Sequence, residues 1–84
     1  MEEFYEILKE RNGIKLDSWF FKSKKEAKKK FKEESNTLKL RYEYDYVEKY
    51  PSLMKNWIIT PERFEYYNYP FTEGVRLLKH NFEN

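Results

Sequence analysis

Aromatic side chains are the feature that most constrains how this chain folds. Seven Phe, eight Tyr and two Trp make up 20% of the 84 residues, whereas hydrophobic residues of all kinds make up 39%. A chain of this length buries only about 60–65% of the surface that its unfolded form exposes. Its core must therefore consist largely of these rings, each of which removes about 150–250 Å² from water when buried. We expect one globular domain spanning residues 1–84 rather than a disordered chain.

The composition excludes several classes of chemistry. With no cysteine and one histidine, the chain cannot build a disulfide framework, a thiolate metal site or a histidine-based triad. Its two glycines, Gly13 and Gly74, are too few for a phosphate-binding loop or a dinucleotide fingerprint. We therefore expect no enzymatic activity, no metal and no small-molecule cofactor. The chain shows neither a membrane-spanning run nor a signal-peptide pattern, so we expect a cytoplasmic protein that does not bind membranes.

The first third of the chain predicts a helix followed by a strand. Residues 2–11 are predicted to be helical because their apolar positions share one helix face, and Asn12-Gly13 would end that helix. The alternative is a hairpin, since Asn-Gly is also the strongest two-residue hairpin turn. We favour the helix because direct pairing across that turn leaves neither face cleanly apolar. Residues 14–21 alternate between apolar and polar and predict a strand.

The middle third predicts a helix and a second strand. Ser23 and Glu26 have the spacing of a capping box, which predicts a helix over residues 24–34 that ends by Asn36. The segment from Thr37 to Val47 alternates strictly and predicts a strand; one side of it would carry Leu38, Leu40, Tyr42, Tyr44 and Tyr46. Short connections on both sides of the helix would leave the two strands parallel.

The last third predicts one short strand and two short helical segments. Residues 57–59 are apolar and predict a strand. Thr60-Pro61-Glu62 is a typical helix start, for a helix that ends near Asn68 because Pro70 follows. Thr72 would cap a last segment in which Val75, Leu78 and Phe82 share a face. The predicted fold class is therefore α+β, a small single domain with a short mixed sheet of two to three strands packed with two to four helices.

The predicted middle helix is dominated by lysine. Its apolar stripe is only Ala27 and Phe31, so most of its circumference faces water. Like-charged neighbours at i,i+4 each destabilise a helix by about 0.2–0.5 kcal/mol, and lysines crowd the first turn, where the helix dipole disfavours cations. Stability therefore does not explain this pattern. We predict a binding surface for an acidic protein surface or nucleic acid, formed by Lys22, Lys24, Lys25, Lys28, Lys29 and Lys32.

An explanation by codon composition competes with the prediction that these lysines bind a partner. Phe, Tyr, Met, Ile, Asn and Lys, which have AT-rich codons, outnumber Gly, Ala, Arg and Pro by 40 to 10. An AT-rich gene would fill an ordinary solvated helix face with lysine. The formal net charge is only +2, which is low for a nucleic-acid-binding protein.

Tyrosines form the second candidate surface. The segment around Pro70 is crowded with rings, and exposed tyrosine-rich patches are typical of protein-binding sites. We predict partner contacts there through Tyr66, Tyr67, Tyr69 and Phe71. The row Tyr42, Tyr44 and Tyr46 is interpreted as facing the core, with a stacking platform for single-stranded bases as the alternative.

These patterns favour a small non-enzymatic interaction protein. The AT-rich coding, the single short domain and the lack of cofactor motifs fit a phage or mobile-element accessory protein that inhibits a host or defence enzyme by occupying its surface. The main alternative is a nucleic-acid-binding module that uses the lysine-rich helix and the strand tyrosines. A third, weaker hypothesis is a small ribonuclease built from His80, Arg76 and Lys79. The sequence does not distinguish a monomer from a homodimer.

Overall fold

A five-stranded antiparallel sheet with one α-helix packed on it forms the fold in the computed structural model, which describes residues 2–44 and 48–82. The elements are β1 (Glu2–Arg11), β2 (Ile14–Phe21), α1 (Lys24–Arg41), a short 3₁₀ helix (Pro51–Asn56), β3 (Trp57–Thr60), β4 (Arg63–Asn68) and β5 (Phe71–Phe82). The strand order is β2-β1-β5-β4-β3. The predicted mixed sheet of two to three strands with two to four helices is therefore wrong, and the described strand pairs are all antiparallel.

The N-terminal segment is a strand and not the predicted helix. Asn12 and Gly13 both have positive φ, 52° and 78°, as a two-residue turn between right-twisted strands requires. Direct pairing across the turn was the argument against a hairpin, and a β-bulge makes that argument invalid. The register shifts between Lys9 and Glu10, so Lys9 pairs with Asp17 and Leu16 is skipped. Trp19 then stands opposite Ile7 and reaches the side of the sheet that α1 covers.

The middle helix begins as predicted but ends later. The Ser23 hydroxyl accepts a hydrogen bond from the Glu26 N–H at 3.4 Å, and the predicted strand at residues 14–21 is confirmed before it. α1 continues to Arg41, so the strand predicted from Thr37 is wrong. Its last part, residues 45–47 with Tyr46 and Val47, lies outside the described residues.

The helix continues because its buried stripe has helical spacing. Ala27, Phe31 and Leu38 lie four and seven residues apart on the side that faces the sheet, and Ser35 is buried between them. Leu40, which strand alternation would place beside Leu38, is 81% exposed. Packing against the sheet therefore favours the helical period over the alternating one.

The C-terminal half contains strands where helices were predicted. β3 confirms the strand predicted at residues 57–59. The segment Thr60-Pro61-Glu62 is a tight turn into β4, in which the Thr60 hydroxyl accepts the Glu62 N–H at 3.3 Å, so the helix predicted to Asn68 is wrong. The segment after Thr72 is β5, not a helix. β4 and β5 pair with each other and β5 pairs with β1, and these contacts between distant segments override the local signals.

Rings contribute nine of the fifteen described hydrophobic side chains that are buried in the core or packed against it. The fully buried hydrophobic cluster consists of Tyr5, Ile7, Ala27, Leu38, Trp57, Phe64, Val75 and Leu77. The centroid of the Trp57 ring is 5.2 Å from those of Tyr44, Phe64 and Tyr66. Tyr42 and Tyr44 do face the core, although they do so from the end of α1 and not from a strand. No helix of the described residues is long and apolar enough to cross a membrane.

A buried carboxylate connects the hairpin, α1 and β5. Glu73 on β5 is 1% exposed, and its Oε1 accepts hydrogen bonds from Arg11 Nε at 3.1 Å and from the Tyr42 hydroxyl at 2.9 Å. Arg41 at the end of α1 donates to its Oε2. Two cations and a phenol offset the desolvation of this charge. Burial and the hydrogen bond to Glu73 raise the pKa of Tyr42 to about 12.

The sheet face that α1 does not cover carries apolar and charged side chains together. Strand alternation places Phe4, Glu6 and Leu8 there, between the core residues of β1. Glu6 Oε1 lies 2.9 Å from His80 Nε2, and the Phe4 ring stacks on the His80 ring with centroids 4.8 Å apart. We call this side of the sheet the open face.

Candidate interaction surface

α1 gathers five of the six predicted lysines on one side. Lys24, Lys25, Lys28, Lys29 and Lys32 are all exposed. At about 100° per residue they lie within an arc of about 140°, and at 1.5 Å per residue they span about 12 Å of the helix axis. We call these five residues the lysine face. The narrow buried stripe on the other side of α1 is what leaves them in water.

Among the described residues, the lysine face has no acidic partners. In the part of the chain that the structure describes, no carboxylate oxygen lies within 4.0 Å of its ammonium nitrogens. The ion pairs at that distance involve Lys9, Arg11, Lys30, Arg41, Arg63, Arg76, Lys79 and His80. The exposed carboxylates of α1, Glu26 and Glu33, project from one flank of the arc. The positive charge of this face is therefore available to an external anion.

Two neighbouring lysines lie outside the lysine face. Lys30 turns toward the sheet, where its Nζ lies 4.2 Å from the Trp19 ring centroid and 3.5 Å from Glu34 Oε2. Lys22 is exposed in the connection between β2 and α1 and extends the positive surface beyond the helix. Lys30, which we did not predict as a site residue, thus stabilises the docking of α1.

A shallow groove of about 630 Å³ runs along the lysine face. It is lined by Ser23, Lys25, Glu26, Lys28, Lys29 and Lys32. Its walls are flexible lysine stems that can adapt to a partner, and its ammonium groups are point charges without fixed orientation. Such a groove can attract carboxylates or phosphates.

The four predicted aromatic contacts divide into two pairs. Tyr66 stacks on Tyr42 with ring centroids 4.2 Å apart, and the half-buried Phe71 ring packs beside both. Tyr67 and Tyr69 are exposed, and Tyr69 is 80% exposed in the turn between β4 and β5. Tyr67 and Tyr69 are therefore the members of this set that can meet a partner without disturbing the core.

The aromatic set and the lysine face lie at different ends of α1. Tyr66 and Phe71 contact Tyr42, the residue that caps the C-terminus of the helix. Lys25 lies seventeen residues earlier, which corresponds to about 25 Å along a helix axis. The fold therefore does not combine the two predicted sets into one compact site.

The residues of the ribonuclease hypothesis are also separated. His80 is not in a frayed end but in β5, where its backbone pairs with Phe4 of β1. Lys79 projects to the opposite side of the sheet and forms an ion pair with Glu3 at 3.1 Å, which is the main cause that raises the pKa of Lys79. Arg76 shares the open face with His80 but pairs with Glu10 at 3.6 Å. The structure therefore does not bring the three side chains together.

Sequence reasoning missed two clusters of the structure. The network around Glu73 gave no signal because its members are far apart in sequence and Glu is abundant. Phe20 on the open face did give one: Trp19, Phe20 and Phe21 are consecutive, and a strand must turn the middle ring to the other face. No protein family, curated protein or solved structure was found to match this chain.

Proposed function

We propose that this is a non-catalytic binding protein that places its lysine face on an acidic surface of a partner protein. The observation that carries the proposal is the row of five exposed lysines on one side of α1 without a carboxylate within 4.0 Å in the described residues. Three like-charged pairs in that row destabilise the free helix by about 0.2–0.5 kcal/mol each. An acidic partner would remove that repulsion.

A protein partner is favoured over single-stranded nucleic acid by the position of the tyrosines. The nucleic-acid hypothesis needs an open ring platform beside the cations. The face of Tyr42 is occupied by Tyr66 at 4.2 Å, and its hydroxyl donates to Glu73. Tyr44 packs edge-on against Trp57 at 5.2 Å. Both rings are partly buried against the core and do not form an open platform beside the lysine face, and the low net charge of +2 argues in the same direction.

The mode of action that fits such a surface is obstruction. In this proposal the partner is an enzyme that itself binds an anionic substrate or presents an acidic patch, and the lysine face covers that surface. The wider assignment, a cytoplasmic accessory protein of a phage or mobile element, rests on composition alone and remains part of the proposal.

Paired charge reversal tests the proposal. The wild-type protein is immobilised and exposed to lysate of its source cell, with and without nuclease treatment. Lys25→Glu with Lys29→Glu changes two members of the lysine face, and Lys15→Glu with Lys49→Glu is a control of equal charge at exposed positions outside it. We expect a protein that resists nuclease treatment to be retained by wild type and control and lost from the lysine-face variant.

Salt dependence then separates the partner classes. A protein partner held by a few ion pairs should show a modest decrease of log K with log salt, whereas phosphate contacts give a slope of about −0.7 to −0.9 per contact. Retention that disappears with nuclease treatment, or equal retention by both double variants, would contradict the proposal.

A further inference from the structure

Charged side chains of opposite sign stand in two neighbouring rows across the middle of the open face. Arg63 of β4 lies directly opposite Arg76 of β5, and we call these two residues the cation row. Two residues away along the strands, Glu10 of β1 and Glu65 of β4 lie on either side of Gly74 of β5, and we call the two carboxylates the anion row. Residues two apart on a strand face the same side and are about 7 Å apart. The two rows therefore run side by side.

Gly74 leaves a small depression between the two carboxylates of the anion row. The depression has a volume of about 70 Å³ and is lined by Glu10, Gly13, Glu65, Thr72, Gly74 and Arg76. A larger residue does not fit at its floor, because a Cβ on residue 74 would lie 2.9 Å from the Cβ of Glu65. A cationic group that enters the depression lies between two carboxylates.

The open face is balanced in charge, unlike the side of the molecule that carries α1. Its carboxylates pair with cations of the same face, Glu6 with His80, Glu10 with Arg76 and Glu65 with Arg63. The lysine face carries five cations and, among the described residues, has no carboxylate within 4.0 Å. Two copies of the chain therefore repel each other through their lysine faces but not through their open faces.

We propose that the open face is the contact surface of a homodimer in which the cation row of each copy lies on the anion row of the other. A two-fold axis that is parallel to the rows and midway between them gives this arrangement. Each strand then lies over the same strand of the second copy, within the angle of about 30° that packed sheets keep. Arg76 of one copy therefore points at Gly74 of the other, and its guanidinium lies in the depression between Glu10 and Glu65.

The open face is uncovered in the described part of the chain and is large enough for a dimer. Both α1 and the 3₁₀ helix, through Met54, pack on the opposite side. The five strands comprise forty residues, which cover about 650 Å² of flat sheet at about 4.8 Å between strands and 3.4 Å per residue. A stable interface buries about 600–1,000 Å² per partner. Leu78 of one copy would lie beside Tyr67 of the other, so apolar contacts flank the charged rows.

The two lysine faces lie outside the interface of this dimer. Both sheets separate them, and sheets packed face to face are about 10 Å apart. That separation alone exceeds the Debye length of about 8 Å at physiological ionic strength, so salt screens the two faces from each other. The dimer is thus compatible with the function proposed above and does not depend on it.

Sedimentation equilibrium of the full chain tests the proposal. We expect the mass of the wild-type protein to rise with concentration from 10.6 kDa to twice that value. Arg76→Glu puts like charges together at both symmetric contacts, so the dissociation constant should rise at least about a hundredfold, tenfold for each contact. Arg76→Gln, which adds no negative charge, should raise it by a smaller factor. Lys29→Glu is the matched control, an equal change of charge on the lysine face, and should leave dimerisation unchanged.

Mixing two variants separates loss of the interface from loss of the fold. Glu10→Arg should also weaken the dimer, because Arg76 of the second copy then meets an arginine. An equimolar mixture of Arg76→Glu and Glu10→Arg should form a heterodimer, since residues 76 and 10 again carry opposite charges at both contacts. Donor and acceptor dyes on the two variants report the heterodimer by energy transfer.

Three results would overturn the homodimer. The first is a wild-type chain that stays monomeric up to about 1 mM, which would leave the proposed function standing. The second is dimerisation that persists in Arg76→Glu or disappears in Lys29→Glu, because the contact would then lie elsewhere. The third is the absence of energy transfer in the mixture although circular dichroism shows both variants to be folded.

Discussion

At the scale of single residues, the most consequential group is the carboxylate of Glu73. It is buried on β5 and reached by one arginine from β1, by another from α1 and by the hydroxyl of Tyr42. A buried charge of this kind contributes specificity only while its partners are complete, because removing one member leaves the others without compensation. The site therefore holds three segments in one arrangement.

Neutralising this carboxylate should destabilise the fold. We expect Glu73→Gln to lower the free energy of unfolding by about 1–3 kcal/mol, since Arg11 and Arg41 lose their anion while the amide still occupies the site. Urea denaturation measures the change, and Glu33→Gln on the exposed side of α1 is the control that should have no effect. A Glu73→Gln protein as stable as wild type would show that pairing merely balances the desolvation of the carboxylate.

The raised pKa of Tyr42 predicts a loss of stability at alkaline pH. Burial, followed by the hydrogen bond to Glu73, raises the pKa from 10.0 to about 12. Between these values the unfolded chain releases the phenolic proton and the folded chain keeps it, so stability falls as pH rises. The stabilisation by the hydroxyl should therefore be constant below pH about 10 and vanish by about 12. Urea unfolding of wild type and Tyr42→Phe across this range measures it, and a difference independent of pH would contradict it.

At the scale of elements, α1 combines a good cap with an unfavourable charge pattern. Ser23 satisfies the N–H of Glu26, yet Lys24 and Lys25 occupy the first turn, where the dipole favours anions. The lysines of the first turn therefore make α1 less stable than acidic residues at the same positions would.

Reversing the charges of the first turn should separate the effect of these lysines on stability from their effect on binding. Lys24→Glu with Lys25→Glu should raise the free energy of unfolding, by about 0.3–1 kcal/mol for each well-placed carboxylate, while binding of a labelled acidic peptide of Glu and Gly, a probe for the partner in the proposed function, is lost. Thermal unfolding and anisotropy measure the two effects. Lys32→Glu, beyond the first turn, should weaken binding without this gain in stability. A double variant that binds normally would exclude the start of α1 from the interface.

How far the sequence predicts these elements depends on whether the deciding contact is local. The start of α1 was predictable because a cap involves residues three apart. The end of α1 was not predictable, because residues 37–44 fit both the alternating period of a strand and the period of a helix. Only the burial of Leu38 against the sheet selects the helix. β4 and β5 were missed because their turn and cap signals, such as Thr60-Pro61-Glu62, occur equally at helix starts.

The same distinction holds for the candidate site. The lysine face could be predicted because exposed charges on a helix need no partner to be placed. The exposure of Phe20 could not be predicted, because it depends on which side of the sheet α1 covers. That choice is made by residues on three other elements.

At the scale of the whole molecule, the sheet has a centre and two edges. β1 lies between β2 and β5, and β5 lies between β1 and β4, whereas β2 and β3 each pair with one described neighbour. Strands with two neighbours open only when the domain unfolds, and edge strands open locally.

Amide hydrogen exchange should reproduce this order. We expect the slowest exchange in the middle of β1 and β5, at Ile7, Val75 and Leu77, with opening free energies near the global value. The backbone amides of β3 should exchange faster, because that strand is four residues long and lies at an edge. The measurement is exchange followed by nuclear magnetic resonance. Equal protection of β3 and β1 would show that the sheet opens only as a whole.

The central place of β1 matters during synthesis. Its partner β5 lies at least 62 positions later, a delay of several seconds at about 5–20 residues per second. Until then the waiting strand has a free edge that other nascent chains could join. Charged side chains on such an edge discourage wrong pairing, and β1 carries Glu3, Glu6, Glu10 and Arg11. In the finished protein, each of these four pairs with an oppositely charged or titratable side chain of β5. The charged side chains that discourage other chains from pairing with β1 during synthesis are thus the same ones that pair with β5 in the folded protein.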